Sequence, residues 1–254
     1  MLKITRKSFT ITSFLFDKIT SSKDIFELTK KIKTTQNGYA GFNTKKELRA
    51  YLDVTVGEPK KITSKLTEKQ ILQAVTKSVT ICKKYSPINN GEIFLFPTYD
   101  PFVQKKMFGV SGFTPWKSTI LLFIHPACKS LQQIQYTLAH EYAHATMLRY
   151  HKWETLEDSL LFEGIAEHFR EKTVGGKKAP WVKAISQKKS EQLLKRIKPK
   201  LKSKDPAWYG KIFLGQSKSY PLWSGYAIGY YIIEKMLKNG VNLLELIKKP
   251  RIHE

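Results

Sequence analysis

The segment TLAHEYAHATM, Thr137–Met147, constrains this chain more than any other stretch. It holds two of the six histidines, His140 and His144, with Glu141 between them, in a run of small and apolar residues. On an α-helix, positions i and i+4 lie one above the other on a single face. Both imidazoles can therefore be offered to one point. That is the geometry of H-E-x-x-H, in which two histidines bind zinc and the glutamate acts on a water.

A catalytic zinc takes three protein ligands and keeps a position open, so a third ligand has to be found. The extended H-E-x-x-H-x-x-G-x-x-H form fails, because Met147 and Tyr150 stand at its glycine and last histidine positions. His151 would lie about 10 Å along a continuous helix from His144. His125, His168 and His253 read first as ordinary structural histidines, with His168 the one to watch.

Glu163 is the better candidate. It sits in LLFEGIAEHF, Leu160–Phe169, with Leu160, Leu161 and Phe162 before it and Ile165 and Ala166 after it. A carboxylate buried among such neighbours costs several kcal/mol unless a cation or donors compensate it. Gly164 would let a helix or a metal approach closely. Glu167, one turn on, is placed to accept the second N–H of a metal-bound imidazole and so fix its tautomer. The plainer reading is a charged helix edge paired with lysines, but the charge map opposes it. Lys and Arg are missing from Ser130 to Leu148 and from Trp153 to Phe169, although the 254 residues contain 44 of them. The second window also holds five carboxylates.

Elsewhere the chain mixes strands and helices. SFTITSFLF, Ser8–Phe16, follows Lys3, Arg6 and Lys7 in the manner of a signal peptide. Its apolar run is short, broken by Ser and Thr, and no small-x-small site follows, so it reads as a strand. No run approaches the roughly 18 apolar residues of a membrane span. Thr67 and Gln70 form a capping box for a helix reaching about Tyr85. GEIFLFPTYD, Gly91–Asp100, and STILLFIHP, Ser118–Pro126, read as strands, with GVSGFTP, Gly109–Pro115, as a glycine-punctuated loop between them. Helices are expected over about 131–149, about 156–173 with Thr155 as N-cap, along the lysine-rich stretch opened by Pro180 and Trp181, over about 223–238, and after Asn242. Strands first and helices second predict an α+β fold. Residues 1–150 form an α/β subdomain ending in the HEYAH helix. Residues 151–254 form a helical subdomain carrying Glu163, and the two make one catalytic unit.

Two cysteines, Cys82 and Cys128, make no disulfide framework, and a reducing cytoplasm is the simpler setting. The formal net charge of +23 is the unusual bulk property. It concentrates in Gln187–Asp205, where eight cations meet Glu191 and Asp205. With no aromatic RNA-binding signature, zinc finger or helix-turn-helix pattern beside it, this reads as a solvated helical face. A polyanion-binding surface is the rival reading.

HEYAH, eighteen residues, then EGIAE resembles the gluzincin metallopeptidases, and more narrowly the YjaZ-like family of predicted zinc-dependent proteases. TLAHEYAHA, an EGIAEHF-type helix and SGYAIGYYI follow in that order, and the likeness runs from about Phe94 to Leu237. The resemblance implies a zincin-like fold: a mixed sheet over the motif helix, an edge strand lining the cleft, and a helical part supplying the third ligand. STILLFIHP is then the natural edge or near-edge strand. It implies one Zn2+ per chain held by His140, His144 and Glu163, with Glu141 as general base and Glu167 supporting a histidine. Gluzincins often add a Tyr or His that stabilises the oxyanion. PLWSGYAIGYY offers Tyr220, Tyr226, Tyr230 and Tyr231 for that role, and Tyr226, between Gly225 and Gly229, is favoured. No G-x-M-E-N-like segment is present, so the resemblance does not extend to aminopeptidase action. The expectation is a monomeric zinc metallopeptidase acting on peptides or proteins away from membranes. The alternatives are a metal-binding protein of this fold without peptidase activity, and the polyanion-binding module.

Overall fold

The computed structural model describes residues 2–6, 9–15, 24, 27, 30, 32 and 45–250. These fall into two compact units, 1–149 and 150–254.

The first unit is built on a five-stranded mixed sheet: β1 (Leu2–Arg6), β2 (Phe9–Ser13), β3 (Gly91–Pro97), β4 (Val110–Trp116) and β5 (Thr119–Ile124), in the order β1-β2-β3-β5-β4. β2, β3 and β5 run parallel, while β1 and β4 are antiparallel additions at the two edges. The N-terminal apolar run does supply a strand, β2; its outer residues Ser8 and Phe16 lie outside the described residues. β5 is buried along its whole length, as expected of a strand covered on both faces.

Alternation sorts the sheet's side chains into two layers. Phe94, Phe96, Leu121 and Phe123 face a helix not foreseen in the sequence, α1 (Lys45–Val56), which buries Leu48, Leu52 and Val56 against them. The opposite face receives α2 (Glu68–Tyr85), capped by the expected Thr67–Gln70 box, and α4 (Leu131–Met147), the HEYAH helix. A short helix, α3 (Pro101–Lys106), lies between β3 and β4.

The reading of GVSGFTP as a loop is corrected: Val110–Trp116 is strand β4, at the edge of the sheet beside β5. Glycine and proline suggested a turn, yet each has a place here. Pro115 falls in a register irregularity on an edge strand, where a missing N–H leaves few ladder bonds unmade. Gly112 makes room for a side chain of α4, as described below. The actual turn is the tight one after Trp116, where Ser118 takes φ +67°.

The second unit is helical: α5 (Leu156–Val174), α6 (Gln187–Ile197), α7 (Ala207–Phe213), α8 (Ser224–Lys238) and α9 (Leu243–Lys248). Thr155 caps α5 as expected, in a reciprocal box with Asp158, and Gly175 ends it. The lysine-rich stretch is one α-helix, α6, flanked by single 3-10 turns at Trp181–Lys183 and Lys198–Lys200. α5 and α8 cross at two glycines. A Cβ at Gly164 would lie 2.3 Å from the carbonyl oxygen of Gly229, and one at Gly229 would lie 2.2 Å from that of Leu160. Among the described residues no helix is long and apolar enough to cross a membrane.

Candidate metal centre

α4 is held at both ends of its functional turn. The Tyr142 hydroxyl donates to the Ser86 carbonyl at 2.7 Å and accepts the Ile88 N–H at 3.2 Å. Burial raises the pKa of this phenol well above the ordinary tyrosine range. Ser78 donates to the Gln135 carbonyl and Arg149 to that of Pro87, so the helix is pinned to α2 and to the chain leaving it.

On this fixed helix the two imidazoles converge. The Nε2 atoms of His140 and His144 lie 2.9 Å apart, with rings nearly perpendicular at 81°. His144 and Glu141 are buried and His140 half-buried, and one ligand atom from each lies within 4.8 Å of the others. A tetrahedral zinc with bonds of 2.0–2.1 Å separates two nitrogens by roughly 3.4 Å. The pair thus needs to open by about half an ångström to take that ion. Two imidazole nitrogens and a carboxylate suit zinc, though not zinc alone.

Glu141 is placed by the edge strand. Gly112 and Thr114 share one face of β4, the face toward α4. A Cβ at Gly112 would sit 2.4 Å from Glu141 Cγ and 2.7 Å from Oε1. The Thr114 hydroxyl lies 2.7 Å from Glu141 Oε2 and 3.0 Å from its carbonyl oxygen. The strand thus leaves space for the carboxylate on one side and offers it a donor on the other. Neither residue was singled out in the sequence, because β4 was read as a loop and its alternation went unused.

The other predicted residues lie in the helical unit. Glu163 and Glu167, one turn apart on α5, are 4% and 1% exposed. The Tyr209 hydroxyl lies 3.4 Å from Glu163 Oε1. Glu167 Oε1 accepts the Trp181 indole N–H at 2.6 Å, and Oε2 accepts Arg170 at 2.9 Å. Arg170, the first residue beyond the cation-free window, is itself buried and also donates to the Gly175 and Lys177 carbonyls. It folds the chain after α5 back so that Trp181 reaches Glu167. The i+3 spacing from Glu167 to Arg170 was visible in the sequence; the link to Trp181 carried no local signal.

The remaining candidates are accounted for as follows. His168 Nε2 bonds the Tyr230 carbonyl at 3.2 Å and its ring stacks on Tyr230 at 4.1 Å. Burial lowers its pKa. His125 Nδ1 accepts the Ala127 N–H in the turn after β5, and burial lowers its pKa too. His151 bonds the Lys248 carbonyl. His253 lies outside the described residues. Of the four tyrosines, Tyr230 donates to Glu171 at 2.9 Å, Tyr220 lies under the Arg196 guanidinium, Tyr231 is half-buried, and Tyr226 meets Phe213 edge-on at 5.2 Å.

An α+β chain whose sheet-packed helix carries a His-Glu-x-x-His cluster belongs among proteins with a candidate metal centre. The particular family is clear from the comparison of sequences: the chain belongs to the family described as Predicted Zn-dependent protease (DUF2268), whose model matches residues 65–250. Among curated proteins, none matches the chain.

Proposed function

We propose that this protein is a zinc metallopeptidase of gluzincin type and zincin-like fold, which hydrolyses peptide bonds in peptides or proteins. The observation that carries the reading is the convergence of His140 and His144 at 2.9 Å beside a Glu141 carboxylate held by Thr114. The family description supports it, as does the match spanning both units.

In this reading His140, His144 and Glu163 hold one zinc per chain, and residues 1–150 and 151–254 act as one catalytic unit. When bound, zinc supplies a Lewis acid that polarises a carbonyl and makes a water more acidic. Glu141 removes a proton from the attacking water and later hands it to the leaving amine. Thr114 keeps that carboxylate in one orientation through both transfers. Glu167, itself fixed by Arg170 and Trp181, orients a ligating imidazole. Tyr226 is the proposed donor to the oxyanion. β4, the edge strand among the described residues, offers its outer side to an extended substrate by main-chain hydrogen bonds. The buried, unbridged Cys82 and Cys128 fit action in a reducing cytoplasm, and the protein is proposed to act as a monomer.

The test is metal content by mass spectrometry together with hydrolysis of peptide pools. Wild type is expected to hold about one zinc and to cleave, His144→Ala to lose the metal, and Glu141→Gln to keep the metal and lose turnover. A wild type that takes up no zinc would refute the reading. Full zinc without cleavage of any pool would instead leave a metal-binding protein of the same fold.

A further inference from the structure

Tyr209 has no part in the ligand set or the proton transfers above, yet its hydroxyl points at Glu163. The contact, 3.4 Å to Oε1, lies within the helical unit and joins α7 to α5. The tyrosine is firmly seated. α7 begins after Pro206, with Asp205 Oδ1 accepting the Ala207 N–H at 2.9 Å. The Tyr209 ring lies flat on Phe213, centroids 4.4 Å apart and planes at 10°. Phe213 is fully buried and fits against Gly225 of α8, where a Cβ would come within 2.5 Å of its ring. Swinging Tyr209 away would therefore disturb a ring wedged between two helices. A carboxylate as buried as Glu163 needs donors to offset its desolvation.

We propose that Tyr209 is a positioning residue for Glu163: its hydroxyl donates to Oε1 and fixes the orientation in which the carboxylate meets a metal ion. The proposal rests on the reading of Glu163 as the third zinc ligand. A ligating carboxylate that already holds a hydrogen bond is ordered before the ion arrives. Removing such a partner weakens metal binding about 10–100-fold.

The experiment is a double-mutant cycle on zinc affinity, measured by competition with a chromophoric chelator. It compares wild type, Tyr209→Phe, Glu163→Ala and the double variant, with the thermal midpoint of each metal-free protein recorded alongside. Tyr209→Phe should bind zinc roughly tenfold more weakly while its metal-free midpoint stays close to that of wild type. In the Glu163→Ala background the same change should have no further effect, because its route to the metal is gone. With cobalt(II) in place of zinc, Tyr209→Phe should also alter the visible spectrum.

Unchanged affinity and spectrum in Tyr209→Phe, with zinc binding much weakened but still measurable in Glu163→Ala, would overturn the role of Tyr209 and leave the ligand set standing. Undiminished zinc binding by Glu163→Ala would overturn the ligand set, and the role of Tyr209 with it. An equal loss in both backgrounds would show that Tyr209 works through the fold rather than through Glu163, and would also overturn the proposal.

Discussion

At the scale of single residues, the proposed chemistry turns on where one carboxylate sits. Glu141 is confined by something missing at Gly112 and something present at Thr114, two positions apart on β4. A methyl group at residue 112 would occupy the space of Glu141 Cγ, which is not the mobile end of the side chain, so the whole carboxylate must move. Displacements near 1 Å cost on the order of 100-fold in rate when a catalytic group has to meet its proton. Gly112→Ala should therefore keep its zinc and lose at least that much turnover. Metal content and peptide hydrolysis measured on one preparation check this, and undiminished turnover would show that Glu141 tolerates a second placement.

At the scale of elements, the Gly164–Gly229 crossing brings α5 and α8 close enough for His168 to stack on Tyr230 and donate to its carbonyl. Burial lowers the pKa of His168, so the folded chain binds fewer protons there than the unfolded chain. Stability must then rise with pH through the window below the ordinary histidine value of about 6.5, and fall as the solution is acidified. His125, also shifted down by burial, adds to the same slope. His168→Gln retains a donor and removes the titration. Denaturant unfolding at pH 5 and pH 7.5 should show a smaller acid-side loss for this variant than for wild type; an equal loss would put the pH dependence elsewhere.

At the scale of the whole molecule, the charge of +23 opposes compactness. The lysine-rich helix α6 buries Ser190, Leu193 and Ile197 and turns Lys188, Lys189, Lys195 and Arg196 to solvent. Nearby lysines are partly matched, Lys204 by Glu154 and Lys202 by Glu157, but these pairs are exposed and contribute little. Salt should screen the net repulsion, so the metal-free thermal midpoint should be higher in 150 mM than in 10 mM sodium chloride. A midpoint that falls with salt would mean attractive pairs dominate instead. The caps at Thr67, Thr155 and Asn242, strands β3 and β5 and the metal motif were all legible, because each is written in neighbouring residues. α1 was legible too, in the spacing of Leu48, Leu52 and Val56 and in the Thr44-x-x-Glu47 pattern before them. What sequence could not supply were partners far apart in the chain: Thr114 for Glu141, Trp181 for Glu167, Tyr209 for Glu163. Their pairing depends on packing, not on any local pattern.

The order of these pieces along the chain has a temporal meaning. β4, the tight turn, β5 and α4 follow one another from Val110 to Met147 and bring Gly112, Thr114, His140, Glu141 and His144 together. Such short-range contacts form early, since little chain entropy is lost in closing them. During synthesis the histidine pair thus leaves the ribosome, and can begin to assemble, ahead of Glu163. In the proposed ligand set, a growing chain would present its two histidines first and complete the set when α5 follows.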